Sequence, residues 1–366
     1  MNSKSIISLP SPVEQAAAQG IVVPTGRREI QIGLGRWTWH VDRTSALVAS
    51  VLALAALLTG FISLALGDIR VPFDQLLPAL LGDSERRYEV VVRDWRLTRV
   101  LLALVFGFAL GISGAMFQSL TRNPLGSPDV IGFSSGAYTV ALALMLFTTA
   151  GAAQIAMGSI LGGLLAAALV FIIASRDGVN GFRLIVVGIG VGAMLASANT
   201  FMLLAAQRQV AMSAAVWGSG SLNSVSNSVL GPSLVGIALF AVAAVSLQRQ
   251  ARILECGDAL AISLGVNARR LRASMVIVGV GLVAVTTAAA GPIAFVALVA
   301  PQIAARLTGR SELDLLPAGC LGALLLVSAD TIARVAFMPV QLPVGIVTVC
   351  LGGVYLIWLL VRESRS

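Results

Sequence analysis

The sequence has very few of the side chains that most often bind metals or carry acid–base chemistry. Its 366 residues include a single histidine, His40, and three cysteines, at 256, 320 and 350. The cysteines have no spacing typical of a zinc or haem site. We therefore expect no metal, no cofactor and no catalytic residue, and we interpret the cysteines as small apolar residues.

Charged residues are scarce as well. They make up 11% of the chain, against about a quarter of a typical soluble domain, whereas 57% of the residues are hydrophobic. These proportions predict a polytopic membrane protein surrounded by lipid, and the 37 glycines fit closely packed membrane helices. The net charge of +8 does not indicate a nucleic-acid partner, because the basic residues are dispersed among apolar runs.

Apolar runs long enough to cross a membrane recur along the chain, since a span needs about twenty mostly apolar residues. Clear runs lie near 45–66, 97–118, 152–174, 184–206, 229–247, 272–290, 314–336 and 342–361. The run 130–149 is interrupted, and 292–308 starts after Gly291-Pro292. The sequence therefore predicts about ten spans, or about nine if 272–308 is one kinked element.

The basic residues predict the orientation of these spans. With about ten spans, most of the 25 lysines and arginines fall on one side, which the positive-inside rule assigns to the cytoplasm. Both termini are then cytoplasmic, and the mixed-charge stretch 67–96 is external. We expect residues 1–43 to form a mobile cytoplasmic tail, without a signal peptide, ahead of a transmembrane domain at 44–366.

Several short segments stand out between or within these runs. In chain order they are Arg96–Arg99 (RLTR), Arg122–Gly126 (RNPLG), Ala215–Ser221 (AVWGSGS), Cys256–Val266 (CGDALAISLGV), Gly291–Gln302 (GPIAFVALVAPQ) and Gln341–Gly345 (QLPVG). Together they resemble the FecCD family of ABC importer permeases, which carry iron–siderophores, haem and cobalamin. The resemblance covers about residues 45–363 and implies an all-α membrane fold like that of the cobalamin permease.

Three departures from the family pattern refine the resemblance. Members often have Pro-His where this chain has Pro301-Gln302, and Glu-Leu-Pro-Val-Gly where it has Gln341–Gly345. The ending Gly352–Leu360 also differs from the frequent G-x-P-x-F pattern. All three variants resemble the branch that pairs with a second, non-identical permease in catecholate-siderophore importers of the enterobactin type. That branch implies a heterodimer, while haem and cobalamin stay open as cargo.

Arg96 and Arg99 are three residues apart, so a helix projects them from neighbouring points of one face, where an apolar span meets water. In the family, arginines at these positions and at the position of Arg334 form ion pairs with glutamates of a substrate-binding protein. The resemblance therefore implies that all three are docking residues. Arg334 could also pair with Asp330, one helical turn earlier, and the two roles are not exclusive.

The segment 256–266 fills the largest internal loop. Ala259–Leu264 is half apolar and able to form a short helix, with Asp258 suited to its start and Gly265 to a left-handed end. Such a helix would dock on a cytoplasmic ATPase, although a plain connecting loop stays an alternative. The candidate coupling residues are Glu255, Gly257, Asp258, Leu264 and Gly265.

The resemblance also implies a region of this chain that forms a gate on the translocation path. Its candidate residues are Gln118, Asn123, Pro124, Asn180, Gly181 and Phe182. Because proline disfavours helix at the residue before it, the helix that starts near 97 should end near Asn123. For Gln118, a hydrogen bond between helices is an equally good interpretation.

The sequence thus indicates the permease half of an ATP-driven importer of ferric siderophore in the cell membrane. It has no G-x-x-x-x-G-K-[ST] motif, so hydrolysis would belong to a separate subunit. The expected partners are two ABC ATPase subunits, a second permease and a periplasmic or lipoprotein substrate-binding protein.

Three other classes of protein are alternatives to this interpretation. A secondary transporter places ionisable residues near the bilayer midplane, and these spans are almost free of them. An intramembrane enzyme needs acid–base side chains that the spans lack. An exporter-type permease would differ from the importer by not requiring a binding protein.

Overall fold

The computed structural model describes residues 29–34, 37–129, 131–175, 181–223, 225–310 and 313–363. The chain divides into two units, Met1–Leu47 and Val48–Ser366. In the first unit, β1 (Glu29–Leu34) pairs antiparallel with β2 (Trp37–Asp42). Apolar and polar residues alternate in both strands, as is typical of β-structure. This hairpin is absent from the sequence-based prediction, which treats 1–43 as a mobile tail.

Runs of leucine, alanine, valine and glycine form the long helices in the described part of the chain. In chain order these are α1 (Arg43–Ala65), α2 (Phe73–Leu81), α3 (Arg86–Glu89), a π-helical segment (Val90–Leu97), α4 (Thr98–Thr121), α5 (Phe133–Phe147), α6 (Ala152–Ala174), α7 (Gly181–Ala205), α8 (Arg208–Gly218), α9 (Asn227–Glu255), α10 (Asp258–Ser263), α11 (Ala268–Ala290), α12 (Val296–Thr308), α13 (Leu315–Val335) and α14 (Val344–Glu363).

About half of these α-helices lie in segments with the length and composition of membrane spans. Among the described residues, seven are long and apolar enough to cross a bilayer: α1, the continuous helix Arg86–Thr121, α6, α7, α9, α11 and α13. The shorter α5, α12 and α14 are also apolar. The predicted polytopic, all-α fold is therefore confirmed for the second unit.

The predicted element at 272–308 is two helices. α11 ends at Ala290 and α12 begins at Val296. Between them Gly291 has a φ of +74°, and Phe295, directly before α12, has a φ of +69°. A β-carbon at Gly291 would overlap the carbonyl oxygen of Trp217, so the glycine is required both for the backbone angle and for the close approach.

Helix α4 is the central element of the second unit. A β-carbon at Gly107 would overlap the carbonyl oxygen of Gly322 in α13, and one at Gly114 would overlap that of Ala297 in α12. α9 and α11 also pack against α4, and most residues of α4 are buried. Small residues at these contacts let the backbones approach closely. The two ends of α4 are where the candidate residues gather.

The helix order predicts a topology that chemical labelling can test. Five apolar helices, α4, α5, α6, α7 and α9, separate Asp83 from Ser263, and both residues are exposed. An odd number of crossings leaves them on opposite sides of the membrane. With Cys256, Cys320 and Cys350 replaced by serine, Asp83→Cys and Ser263→Cys should react with an impermeant maleimide from opposite faces of sealed vesicles. Labelling of both from one face would show that one of these helices, most obviously the short α5, does not cross.

Candidate functional site

Two polar clusters lie at the ends of α4, and the first of them contains the predicted docking arginines. Arg96 is in the π-helical segment, Arg99 in the first turn of α4 and Arg334 in the last turn of α13. Because α4 and α13 pack along each other, the three side chains meet at one end. They are 7%, 9% and 4% exposed respectively. We call this set, together with Asp330, the outer cluster.

A fully buried carboxylate holds two of these arginines. Arg99 donates from Nε to both oxygens of Asp330 at 2.9 and 3.0 Å, and from Nη2 to Oδ1 at 2.7 Å. Arg334 Nε lies 3.4 Å from Asp330 Oδ2. The ion pair foreseen for Arg334 is therefore present, and Arg99, which was not expected to join it, makes the stronger forked contact with Asp330.

The outer cluster also caps the C-terminal end of α1. Arg96 donates to the carbonyl oxygens of Leu64 at 2.7 Å and Ile69 at 2.5 Å. Arg334 donates to the carbonyl of Ser63 at 3.0 Å and to the hydroxyl of the same serine. The last carbonyls of a helix have no partner within it, so these cations satisfy them and oppose the helix dipole.

Gln341 links the outer cluster to the surface. Its Oε1 accepts a hydrogen bond from Arg99 at 3.2 Å, and its Nε2 donates to Asp68 at 2.9 Å. A glutamate here, as in many family patterns, could accept from the arginine but could not donate to the aspartate. The structure thus brings the three predicted arginines together, but it holds all of them in contacts within the chain. Their pairing with a binding protein stays a prediction.

The second cluster joins the predicted coupling helix to the end of α4. Asp258, the first residue of α10, accepts from Arg272 Nη2 at 2.7 and 2.8 Å and from Arg122 Nη2 at 2.9 Å. Arg122 also donates to the carbonyl of Leu254 at 2.6 Å. The hydrogen bonds from Arg272, together with the charge of Arg122, hold the pKa of Asp258 below its usual value. The carboxylate is therefore ionised at neutral pH.

The predicted coupling segment has the local structure that its sequence indicates. α10 spans Asp258–Ser263, against an expected helix at 259–264. Gly257 and Gly265 have φ values of +124° and +80°, so both ends of the short helix use glycine conformations. Leu264 is exposed, as expected of an apolar knob, whereas Glu255 points back and accepts from the amide of Leu313 at 3.2 Å.

The predicted gate residues lie around the loop that follows α4. Gln118 donates to the carbonyl of Leu298 at 2.9 Å, which is the hydrogen bond between helices that was the alternative interpretation. Asn123 accepts from the amide of Leu125 at 2.8 Å, and the carbonyl of Pro124 accepts from Gln302 at 2.7 Å. These bonds give the loop a defined shape.

The remaining gate residues differ in their surroundings. Gly181 packs against the backbone of Thr121, where a β-carbon would overlap the carbonyl oxygen. Phe182 is 72% exposed, and Asn180 lies outside the described residues. The expected end of the helix near Asn123 is confirmed within two residues, since α4 ends at Thr121 and Arg122 is left-handed with a φ of 50°.

A cavity of about 1010 Å³ adjoins this loop. Its wall includes predicted gate residues (Gln118, Asn123, Pro124) and the predicted coupling residue Glu255. Sequence reasoning missed the arginines that also line it, which are Arg122, Arg252, Arg306 and Arg310. Gln302, which also lines the cavity and stands where many family members have histidine, accepts from the hydroxyl of Tyr355 at 3.2 Å. Within the described ranges, no group of three or more His, Cys, Asp or Glu side chains could hold a metal ion.

Comparisons with known proteins agree with this architecture. The model of the FecCD transport family matches residues 54–362. The chain belongs to the FecCD transport family. It is 47% identical to the ferric enterobactin transport system permease protein FepG of Escherichia coli K12, over 89% of this chain and 99% of FepG.

Other FecCD proteins and one solved structure extend the comparison. The chain is 34% identical to the iron(3+)-hydroxamate import system permease protein FhuG of Bacillus subtilis, over 87% of this chain and 97% of that protein. It is 33% identical to the hemin transport system permease protein HmuU of Yersinia pestis, over 74% of this chain and 83% of that protein. A metal-chelate type ABC transporter solved in an inward-facing conformation matches with a TM-score of 0.77 and 26% identity, over 87% of this chain and 99% of that one. As a FecCD member with this fold, the chain is a multi-pass membrane permease.

The buried ion pairs of the outer cluster predict how a substitution of Asp330 changes the stability of this FecCD permease. Asp330→Asn would leave the guanidinium groups of Arg99 and Arg334 buried without their counter-ion, and breaking a buried pair costs about 3–5 kcal/mol. The purified protein in detergent should therefore melt at a clearly lower temperature. Asp68→Asn is the matched control, because it removes the same charge from an exposed position, where solvent weakens its attraction to the arginines. Equal melting temperatures for the two variants would contradict the structural role of Asp330.

Proposed function

We propose that this chain is the permease subunit of a binding-protein-dependent ABC importer that carries a ferric catecholate siderophore of the enterobactin type into the cytoplasm. The observation that supports this cargo best is the 47% identity to FepG over nearly the whole of both chains. The hydroxamate and hemin permeases are 34% and 33% identical. The three departures from the family pattern, at Gln302, Gln341 and the ending Gly352–Leu360, point to the same branch.

The energy for import would come from two separate ATPase subunits on the cytoplasmic side. The short helix α10 supports this arrangement, because its apolar side chains Leu260, Ile262 and Leu264 are 47%, 64% and 60% exposed. An exposed apolar patch next to an ionised aspartate is a suitable surface for a soluble partner. Both termini and the side that carries α10 would then be cytoplasmic, and a second, non-identical permease would complete the pathway.

A substrate-binding protein would deliver cargo to the opposite side, where the outer cluster lies. The outer cluster contains the three positive charges of Arg96, Arg99 and Arg334. The two negative charges of Asp330 and Asp68 oppose them, so an excess of positive charge remains. Carboxylates of a binding protein would be attracted to this end. The internal contacts of the arginines would fix the positions of their charges. The binding protein would be attracted by the electrostatic field of these charges and would contact the few atoms that stay exposed.

The proposed cargo predicts the outcome of a complementation experiment. In Escherichia coli lacking FepG, the chain should restore uptake of radiolabelled iron from ferric enterobactin, provided that it assembles with the host's partner subunits. Co-expression with its own partner permease and ATPase covers the case in which it does not. Restored uptake of haem or of a ferric hydroxamate, without uptake of ferric enterobactin, would contradict the catecholate assignment.

The proposed docking role predicts a salt-dependent change in binding. Arg96→Gln removes one positive charge from the outer cluster, whose attraction for a carboxylate of the binding protein should be similar to that of an exposed ion pair, about 0.2–1 kcal/mol. The loaded binding protein should bind the reconstituted complex more weakly, with less dependence on salt. Arg208→Gln is the control, because Arg208 is exposed at the start of α8, on the same side but outside the cluster. Unchanged affinity at two salt concentrations, in a variant that melts normally, would leave Arg96 with a structural role only.

A further inference from the structure

The carboxylate of Asp258 joins two arginines that come from different parts of the chain. Arg272 is in the second turn of α11, and Arg122 directly follows α4, 136 residues before Asp258. The side chains of Arg122 and Asp258 are each 47% exposed, and that of Arg272 is 13% exposed. We call these three residues the inner clamp. Ion pairs with this exposure stabilise a fold only weakly, so their contribution to stability does not account for the geometry.

The inner clamp gives α10 a contact outside its own neighbourhood. α10 packs on α9 and α11, which precede and follow it in the chain. The bond from Arg122 adds a connection to the loop between α4 and α5. Arg122 also holds the carbonyl of Leu254 at the end of α9, so one guanidinium group spans the start of α10, the end of α9 and the end of α4.

From Arg122 the connection continues through the segment Arg122–Gly126, which we call the gate loop because it contains the predicted gate residues Asn123 and Pro124. The amide of Asn123 donates to the carbonyl of Gln118 at 3.2 Å. The carbonyl of Pro124, the residue after Asn123, accepts a hydrogen bond from the side chain of Gln302 in α12. The side chain of Gln302 in turn accepts a hydrogen bond from the hydroxyl of Tyr355 in α14. A displacement of Arg122 would therefore be passed to a loop that is tied to two further helices.

We propose that Arg122 and Arg272 are positioning residues for energy coupling, through which the inner clamp transmits movement of α10 to the gate loop. Arg272 fixes the Asp258 carboxylate relative to α11, and Arg122 carries the movement to the end of α4. The inference rests on the proposed function, since it assumes that an ATPase moves α10.

The test is the number of ATP molecules hydrolysed for each chelate imported. It uses the full complex of this chain, its partner permease and the ATPase in vesicles, with ferric enterobactin bound to the binding protein. Arg122→Gln should leave stimulated hydrolysis intact and lower import, which raises the ratio by about fivefold or more. Arg272→Gln should do the same, because the Asp258 carboxylate is then no longer fixed relative to α11.

Two further variants separate coupling from folding. Arg269→Gln, at an exposed arginine of the first turn of α11, removes the same charge from the same side and should leave the ratio unchanged. Arg122→Lys keeps the charge within reach of Asp258 and should restore most of the coupling.

The possible results can be told apart. An unchanged ratio with normal import in Arg122→Gln would overturn the proposal. So would a parallel loss of hydrolysis and import with failure of the ATPase to co-purify, because the clamp would then only shape the docking surface. If the proposed function were wrong instead, the unmodified complex would itself show no import of ferric enterobactin.

Discussion

The close packing of α4 against α12 and α13 is the constraint on which the rest of the second unit depends. At Gly107 and Gly114 the backbone of α4 meets the carbonyl oxygens of its neighbours directly, leaving no room for a side chain. Lipid offers no hydrophobic gain for helix association, so such close contacts supply much of the attraction between membrane helices. Once α4 and α13 are held along each other, Arg99 and Asp330 must face one another at one end, and Arg122 is delivered to the other.

The outer end shows how a membrane protein keeps charge at low cost. Arg99 and Arg334 share a carboxylate that is fully buried, and Arg96 and Arg334 turn their remaining donors to the carbonyls that end α1. Gly67 belongs to this arrangement, because a β-carbon there would lie 2.7 Å from Arg96 Nη2. Each cation is therefore held by atoms of the chain itself, and any partner would meet a rigid, preorganised surface.

The contacts at the inner end of α4 are weaker and more exposed than those at the outer end. Arg122 and Asp258 are half exposed, the loop after α4 is held by single hydrogen bonds, and the short helix α10 is flanked by two glycines with positive φ. Contacts of this kind are individually weak and easily rearranged. In an importer, the end that must move would be the one with exposed ion pairs, whereas the end that must present a fixed surface would carry buried ones.

The sequence by itself determined the class of fold, the positions of most helices, the end of α4 and the glycine-bounded helix α10. These follow from local properties: the length of an apolar run, the effect of Pro124 on the residue before it, and the freedom of Gly265 to adopt positive φ. The resemblance to the FecCD family, and no local property, pointed to Arg96, Arg99 and Arg334 as a set. The hairpin at 29–42 escaped the sequence-based prediction because two short strands give a weak signal beside long apolar helices.

The tertiary structure alone decided the partners of the charged side chains. Arg99 and Asp330 are 231 residues apart in the chain, and Arg122 and Asp258 are 136 apart. No local pattern relates such positions, because their pairing depends on which helices pack together and at what register. The sequence therefore shows which charges lie near the ends of spans, whereas only the packing of α4 with its neighbours decides which of those charges meet, and how deeply they are buried.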